Sequence, residues 1–127
     1  MSEPHRVIDE VFCYGTLLPG EERWPLLAPF VLGHEPDQVN GRIYDTGLGY
    51  PAALFDRVGI IHGVRFRLES QRLSEALSLL DEVEGGVAGL YHRVSLVTSM
   101  GVRVHAYQYG GDLEGLVDVP DGNWLAR

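Results

Sequence analysis

The stretch Val11–Gly20, which reads Val-Phe-Cys-Tyr-Gly-Thr-Leu-Leu-Pro-Gly, decides the fold and organises the rest of the chain. Its first four residues are β-branched, aromatic or small and apolar, as is typical of a buried strand, and Gly15 then permits a backbone that other residues disfavour. A strand that ends at Gly-Thr-Leu leaves successive peptide N–H groups without ladder partners. These groups can donate to a negatively charged group, so the stretch is either an anion-binding loop or an ordinary turn after a strand.

The composition is that of one acidic globular domain. A chain of 127 residues with 45% hydrophobic residues can close a single core, so we expect one domain over residues 1–127. Ten basic residues against eighteen acidic ones give a net charge of −8, which argues against a nucleic-acid partner. All ten basic residues are arginine, which excludes a catalytic lysine. The sequence shows neither the ~20-residue apolar run of a membrane span nor a signal-peptide pattern, so we expect no membrane partner and a cytoplasmic location.

The cysteine and histidine content predicts no disulfide and no metal site. The single cysteine, Cys13, cannot form an internal disulfide, and its place in a strand favours a small buried hydrophobic residue. The five histidines are far apart and show none of the close spacings of zinc sites. We expect His62, on the apolar face of a predicted strand, to be a core residue rather than a ligand.

The hydrophobic periodicity predicts an α+β domain with five or six short strands. Strands are expected over residues 7–14, 39–45, 60–68, 91–98 and 102–109, with a further apolar segment over 52–55. A short helix is expected between Gly20 and Gly33, and the main helix over residues 71–84, with Ser70 as its N-cap and Gly85-Gly86 at its end. In the strand over 60–68 the even-numbered residues are expected to face the core. This pattern favours a strongly curved, mostly antiparallel sheet or small barrel, with Trp124 anchoring the C-terminal tail.

The main helix places one carboxylate on its apolar face. At about 100° per residue, Leu73, Leu77 and Leu80 define the buried stripe, and Glu84 lies about 20° from Leu73. A carboxylate buried without a partner is unfavourable or has a raised pKa, and a raised pKa suits a general acid/base at neutral pH. Two structural explanations stay open: Glu84 pairs with a buried arginine such as Arg93, or the helix ends early and leaves Glu84 in solvent.

Two ordered motifs carry a resemblance to a known family. Tyr14-Gly15-Thr16-Leu17 followed by Gly20, and Leu80-Asp81-Glu82-Val83-Glu84-Gly85 followed by Tyr91, resemble the γ-glutamylcyclotransferase-like superfamily. Weaker matches in the same order are residues 41–45, Tyr50-Pro51-Ala52 and Gly122-Asn123-Trp124, so the resemblance covers nearly the whole chain. It implies a small mixed β-barrel with crossing helices, in which the first loop and Glu84 line one cavity. The chain departs from the pattern at Leu18-Pro19, where many members carry a basic residue.

The resemblance also implies an activity and a set of site residues. The family's reaction cyclises a γ-glutamyl group to 5-oxoproline and releases an amine or amino acid, with no cofactor. By resemblance, Glu84 is the catalytic acid/base and Tyr14 shapes the cavity wall. The backbone N–H groups of Gly15, Thr16 and Leu17 are the candidates to bind either the carbonyl oxygen or the α-carboxylate of the substrate. Tyr107 is a further candidate for a hydrogen bond to the substrate. The alternatives are a non-catalytic protein that binds a small ligand in the same cavity, and a protein with only a structural role; the leaving group and the oligomeric state stay open.

Overall fold

The computed structural model describes residues 7–86 and 91–127, which form ten regular elements and three short 3₁₀ turns. The strands are β1 (Glu10–Cys13), β2 (Val31–Asn40), β3 (Arg42–Asp45), β4 (Pro51–Leu54), β5 (Ile60–Leu68), β6 (Tyr91–Val97), β7 (Arg103–Tyr109) and β8 (Val117–Asp118). The helices are the one-turn α1 (Trp24–Leu27) and the main helix α2 (Leu73–Gly86). The 3₁₀ turns cover Ala28–Phe30, Ser70–Arg72 and Trp124–Ala126.

The strands form two sheets. The five-stranded sheet has the order β2-β5-β1-β7-β6, and the three-stranded sheet has the order β4-β3-β8. Only the β1–β7 pair among the described strands is parallel, so the predicted mixed, mostly antiparallel α+β class is confirmed. The pairings of residues 7–86 and 91–127 do not join the two sheets into one ring, and closure into a barrel stays a prediction.

Strand β1 lies in the middle of the larger sheet and separates two apolar clusters. Its alternating side chains point to opposite faces, as the period of a strand requires. Val11 and Cys13 pack in a cluster with the apolar stripe of α2, whereas Phe12 and Tyr14 pack in a second cluster with Trp124. All four residues are buried, which explains why the sequence of this strand is apolar on both faces. The loop that follows β1 therefore leaves from the centre of the molecule.

The strand predicted over residues 39–45 is two strands. The chain bends at Gly41, whose φ of 145° other residues rarely adopt, and a side chain there would lie 2.7 Å from the Leu54 carbonyl oxygen. Strand β2 precedes this bend and was not predicted, because its exposed residues His34, Glu35 and Pro36 break the apolar alternation. Such residues are typical of an edge strand, which is the position of β2.

The prediction that the even-numbered residues of β5 face the core is right at only one end of the strand. Phe66 and Leu68 are buried as expected, but Ile60 is 42% exposed while Ile61 is fully buried. The two ends of β5 contribute to different clusters, so Ile61 packs in the second cluster and Phe66 in the first. His62 is consequently half-buried outside both clusters, with its Nδ1 3.2 Å from Gln38 Nε2, and the prediction of a core histidine is wrong.

The remaining boundaries differ by a few residues at most. The strand expected over 7–14 is Glu10–Cys13, while β6 and β7 match their predictions to within a residue. The predicted main helix begins with the 3₁₀ turn at Ser70 and becomes α-helical at Leu73, so Ser70 opens the turn and Glu69 holds the N-cap position. A short helix occurs between Gly20 and Gly33, as expected. No helix of the described residues has the length and apolarity that a bilayer span requires.

Trp124 anchors the C-terminal tail, as predicted. Its side chain is 2% exposed and packs in the second cluster. Two backbone hydrogen bonds attach the adjoining segment to the sheets, from His62 N to Gly122 O at 2.8 Å and from Val119 N to Ile43 O at 3.0 Å. The tail is therefore part of the core that supports β1.

We expect Trp124→Ala to lower the free energy of unfolding by about 3–5 kcal/mol, because it removes a large buried side chain and leaves a cavity. Urea denaturation measures this change. The control is Leu125→Ala, an exposed neighbour, which should change stability by no more than about 0.5 kcal/mol. Equal effects of the two substitutions would contradict the anchoring role.

Candidate active site

The loop after β1 contains three buried residues whose peptide N–H groups have no acceptor in the part of the chain that the structure describes. Gly15, Thr16 and Leu17 are all buried, yet among the described residues no hydrogen bond is donated by their backbone nitrogens. The carbonyl groups of the first two are hydrogen-bonded, because Leu18 N donates to Gly15 O at 3.0 Å and Arg23 N donates to Thr16 O at 2.7 Å. Buried N–H groups are nearly always paired, so three consecutive unpaired ones indicate a place for an anionic or carbonyl ligand.

Glu84 faces inward from the last turn of α2, as the helical periodicity predicts. Its side chain is 8% exposed, and Leu73, Ala76 and Leu80 on the same stripe are buried as well. The two structural explanations for Glu84 are wrong: the helix continues to Gly86, and Arg93 pairs with Asp81 at 3.4 Å. Within residues 7–86 and 91–127, Glu84 forms neither a salt bridge nor a side-chain hydrogen bond. Its side chain is thus largely buried, without a hydrogen-bond or salt-bridge partner among these residues.

Burial raises the pKa of Glu84 from its ordinary value of 4.5 to about 7. Loss of hydration disfavours the carboxylate form, and the positive charge of Arg23 opposes this effect only in part. Glu84 in turn contributes to raising the pKa of the Cys13 thiol, although burial is the larger cause there. At neutral pH the Glu84 carboxyl can therefore both accept and donate a proton, whereas Cys13 is a neutral thiol.

The loop and Glu84 line the same cleft. The space between them has an empty volume of about 360 Å³, which includes space open to solvent. It contains every predicted site residue. Its lining consists of Phe12, Cys13, Tyr14, Gly15, Thr16, Leu17, Arg23, Tyr50, Pro51, Glu84, Tyr91 and Tyr107.

Hydrogen bonds from three tyrosines fix the walls of the cleft. The Tyr14 hydroxyl donates to the Tyr107 carbonyl oxygen, and the Tyr91 hydroxyl donates to the Pro51 carbonyl oxygen at 2.7 Å. The Tyr107 hydroxyl donates to Asp81 Oδ1 at 2.7 Å, so its proton is already engaged. Burial is the main reason that the pKa of each of these hydroxyls is raised. These tyrosines therefore act in the structure as neutral, oriented groups that link the loop after β1 with β4, β6, β7 and α2.

Arg23 is the main residue of the cleft that sequence patterns missed. It precedes α1, a helix of four residues that is too short to show a periodicity, so nothing in the local pattern predicts where its side chain points. The structure places its Nη1 3.2 Å from Thr16 Oγ1, on the loop that follows β1. The signal that could have found it is positional, since it is the first basic residue after that loop.

No metal site accompanies these residues in the part of the chain that the structure describes. Residues 7–86 and 91–127 contain no group of three His, Cys, Asp or Glu side chains close enough to hold a metal ion. Beside hydroxyl groups and one neutral thiol, the described lining of the cleft offers one carboxyl group, one guanidinium group and three peptide N–H donors.

Comparison with known proteins finds a family whose model matches most of this chain. Residues 11–126 match the family model described as "Gamma-glutamyl cyclotransferase, AIG2-like". A protein of Halalkalibacterium halodurans, named "Putative gamma-glutamylcyclotransferase BH1612", is 33% identical over 90 residues, which cover 68% of this chain and 80% of that protein.

Two solved structures share the fold. The crystal structure of the uncharacterized protein PH0828 from Pyrococcus horikoshii aligns with a TM-score of 0.69 at 20% identity, over 91% of this chain and 88% of that one. The solution NMR structure of ytfP from Escherichia coli aligns with a TM-score of 0.60 at 26% identity, over 91% and 96% of the two chains.

The buried carboxyl group gives the stability of the protein a specific pH dependence. Because the pKa of Glu84 is about 7 in the folded state and near 4.5 in the unfolded chain, the folded state holds a proton in this interval that the unfolded state has lost. The contribution of Glu84 to stability is therefore greatest below about pH 4.5 and is lost as the pH rises through about 7.

The side chain of the Glu84→Gln variant stays neutral at every pH. We therefore expect its free energy of unfolding, relative to that of wild type, to rise by about 2–3 kcal/mol from about pH 5 to about pH 8. Urea denaturation of both proteins at the two pH values measures this gain. A stability difference that is the same at both pH values would contradict the raised pKa.

Proposed function

Because the chain belongs to the gamma-glutamyl cyclotransferase, AIG2-like family, we propose that it is an enzyme that converts a γ-glutamyl group to 5-oxoproline and releases an amine or amino acid. One observation carries the proposal: the cleft combines a buried carboxyl group, whose pKa is about 7, with a loop of unpaired peptide N–H groups. The name of the Halalkalibacterium halodurans relative points to the same reaction.

Glu84 is the proposed acid/base. In the reaction, the α-nitrogen of the γ-glutamyl group attacks the γ-carbonyl carbon of the same group, and a carbon–nitrogen bond closes the five-membered ring. The nucleophilic nitrogen must lose a proton, and the departing nitrogen must gain one as its bond to the γ-carbon breaks. A single carboxyl group between the two nitrogens can transfer that proton, and a pKa of about 7 suits both steps at neutral pH.

The loop after β1 is the proposed binding site for the carbonyl oxygen. Negative charge develops on this oxygen as the ring closes, and peptide N–H groups fixed beforehand stabilise such charge without reorganisation. The backbone nitrogens of Gly15, Thr16 and Leu17 are the donors available in the cleft. The surrounding hydrogen bonds, from Leu18 N to Gly15 O and from Arg23 N to Thr16 O, hold the loop in one conformation.

The rest of the catalysis is conformational. Both reacting atoms belong to one molecule, so the enzyme has to restrict rotation and hold the γ-glutamyl chain in its ring-closing shape. The aromatic walls of the cleft, including Tyr14 and Tyr91, are buried and fixed by their own hydrogen bonds, so they can supply that restriction. We propose that Tyr107 also contributes to the wall, with its hydroxyl directed to Asp81. This mechanism uses a small-molecule substrate and requires no cofactor.

We expect Glu84→Gln to retain the fold and to lower 5-oxoproline release by about 10²–10⁴-fold, because glutamine has the shape of the carboxyl group but cannot transfer its proton. The assay measures 5-oxoproline from a panel of γ-glutamyl amino acids and γ-glutamyl amines. The matched control is Glu82→Gln, the same substitution at an exposed position of the same helix, which should retain activity. Full activity of Glu84→Gln would overturn the proposed mechanism, and ligand binding without turnover by the wild type would indicate a binding protein instead.

We expect Gly15→Ala to lower kcat/KM by about tenfold or more through displacement of the loop donors. A methyl group on Gly15 would lie 2.6 Å from Cγ and 2.8 Å from Cδ of Pro51, so the loop and β4 must separate. Comparison of kcat/KM with the melting temperature distinguishes this displacement from unfolding. An unchanged kcat/KM in the folded variant would contradict the role of the loop.

A further inference from the structure

Arg23 contributes positive charge to a cleft that otherwise contains none. It is the only basic side chain among the described residues of the lining, and within those residues it forms no salt bridge. Its Nη1 donates to Thr16 Oγ1 at 3.2 Å, and its backbone N donates to Thr16 O at 2.7 Å. The side chain is thus attached to the loop through one nitrogen, while the other donors of its planar guanidinium group have no acceptor among residues 7–86 and 91–127.

The lining of the cleft is unevenly exposed. Phe12, Cys13, Tyr14 and Glu84 are buried, whereas Arg23 and Tyr50 are half-exposed. In the proposed reaction the α-nitrogen of the γ-glutamyl group must reach Glu84, which places that group against the buried residues. The leaving group is then the portion of the substrate that continues towards solvent, where the half-exposed Arg23 can meet it.

From this arrangement we propose that Arg23 binds a carboxylate on the leaving group, so that the protein prefers γ-glutamyl amino acids to γ-glutamyl amines that lack a carboxylate. The inference rests on the proposed function and assigns a substrate class to it. A guanidinium group recognises a carboxylate by charge-assisted hydrogen bonds in a fixed geometry.

The charge of the whole chain makes this local cation important. At a net charge of −8, the protein repels an anionic substrate at long range. The repulsion of distant charges is screened beyond about 8 Å at physiological ionic strength, so a nearby unpaired guanidinium group outweighs it inside the cleft. A leaving group without a carboxylate would leave Arg23 unpaired.

The test compares γ-glutamyl-alanine with γ-glutamyl-ethylamide, whose leaving groups differ only by the carboxylate. The variants are Arg23→Gln, Arg23→Lys and the control Arg57→Gln, which changes an exposed arginine between β4 and β5. For each substrate, kcat/KM of the variant is divided by kcat/KM of the wild type. The intrinsic reactivity of the amide cancels in this ratio, so the ratios for the two substrates can be compared directly.

We expect Arg23→Gln to lower kcat/KM by about tenfold to hundredfold for γ-glutamyl-alanine, mainly through KM, and by less than about threefold for γ-glutamyl-ethylamide. Arg23→Lys should recover part of the loss, and Arg57→Gln should change neither value. Equal losses for both substrates would overturn the proposal, because Arg23 would then support the loop or the γ-glutamyl group itself.

A binding measurement separates this inference from the proposed reaction. Titration calorimetry of both compounds against Glu84→Gln and against Glu84→Gln/Arg23→Gln requires no turnover. A preference for γ-glutamyl-alanine that disappears with Arg23 supports the carboxylate site even if the wild type releases no 5-oxoproline, in which case only the proposed reaction fails. Equal affinities of the two compounds for Glu84→Gln would overturn the carboxylate site whether or not the protein turns over.

Discussion

A largely buried carboxyl group with no salt-bridge partner among the described residues is the constraint on which the site depends. Glu84 is 8% exposed, its pKa is raised to about 7, and the nearest opposing influence, the charge of Arg23, is too weak to restore its ordinary value. Such a group is unfavourable for folding, so the rest of the structure must hold α2 in place against it. The apolar stripe of Leu73, Ala76 and Leu80 does so by packing against Val11 and Cys13 of the central strand.

The same strand determines where the opposite half of the site lies. Strand β1 ends at Cys13, and in the loop that follows the N–H groups of Gly15, Thr16 and Leu17 have no acceptor among the described residues, while the Gly15 and Thr16 carbonyl groups are bonded. The Tyr14 hydroxyl links this point to β7, and the Tyr107 hydroxyl links β7 to Asp81, one helical turn before Glu84. A chain of hydrogen bonds thus joins the loop to the helix, and the distance between donors and carboxyl group is determined before any ligand binds.

The sequence predicts the environment of a residue where that environment follows from the periodicity of the helix or strand that contains it. Glu84 was found because a 14-residue helix repeats its apolar stripe often enough to place one carboxylate on it. Arg23 was missed because its side chain is positioned by a bond to Thr16 rather than by a regular element. Two predictions failed for another reason: that Ile60 faces the core, and that one strand continues through Gly41. Strand β5 contributes to two apolar clusters, and the chain passes from one sheet to the other at Gly41. Local alternation contains no information about such long-range assignments.

The two halves of the cleft have opposite polarity, and this matches the charge distribution of the proposed reaction. Glu84 lies in the last turn of α2, where the negative end of the helix dipole also disfavours a carboxylate and favours a positively charged neighbour. The loop presents peptide N–H groups, which are the positive ends of their dipoles. When an amine attacks an amide, its nitrogen becomes positive and the carbonyl oxygen becomes negative. A substrate with its nitrogen at the helix end and its oxygen at the loop therefore gains stabilisation as these charges separate. Because the polarity arises from the backbone, the carboxyl group is left to transfer the proton.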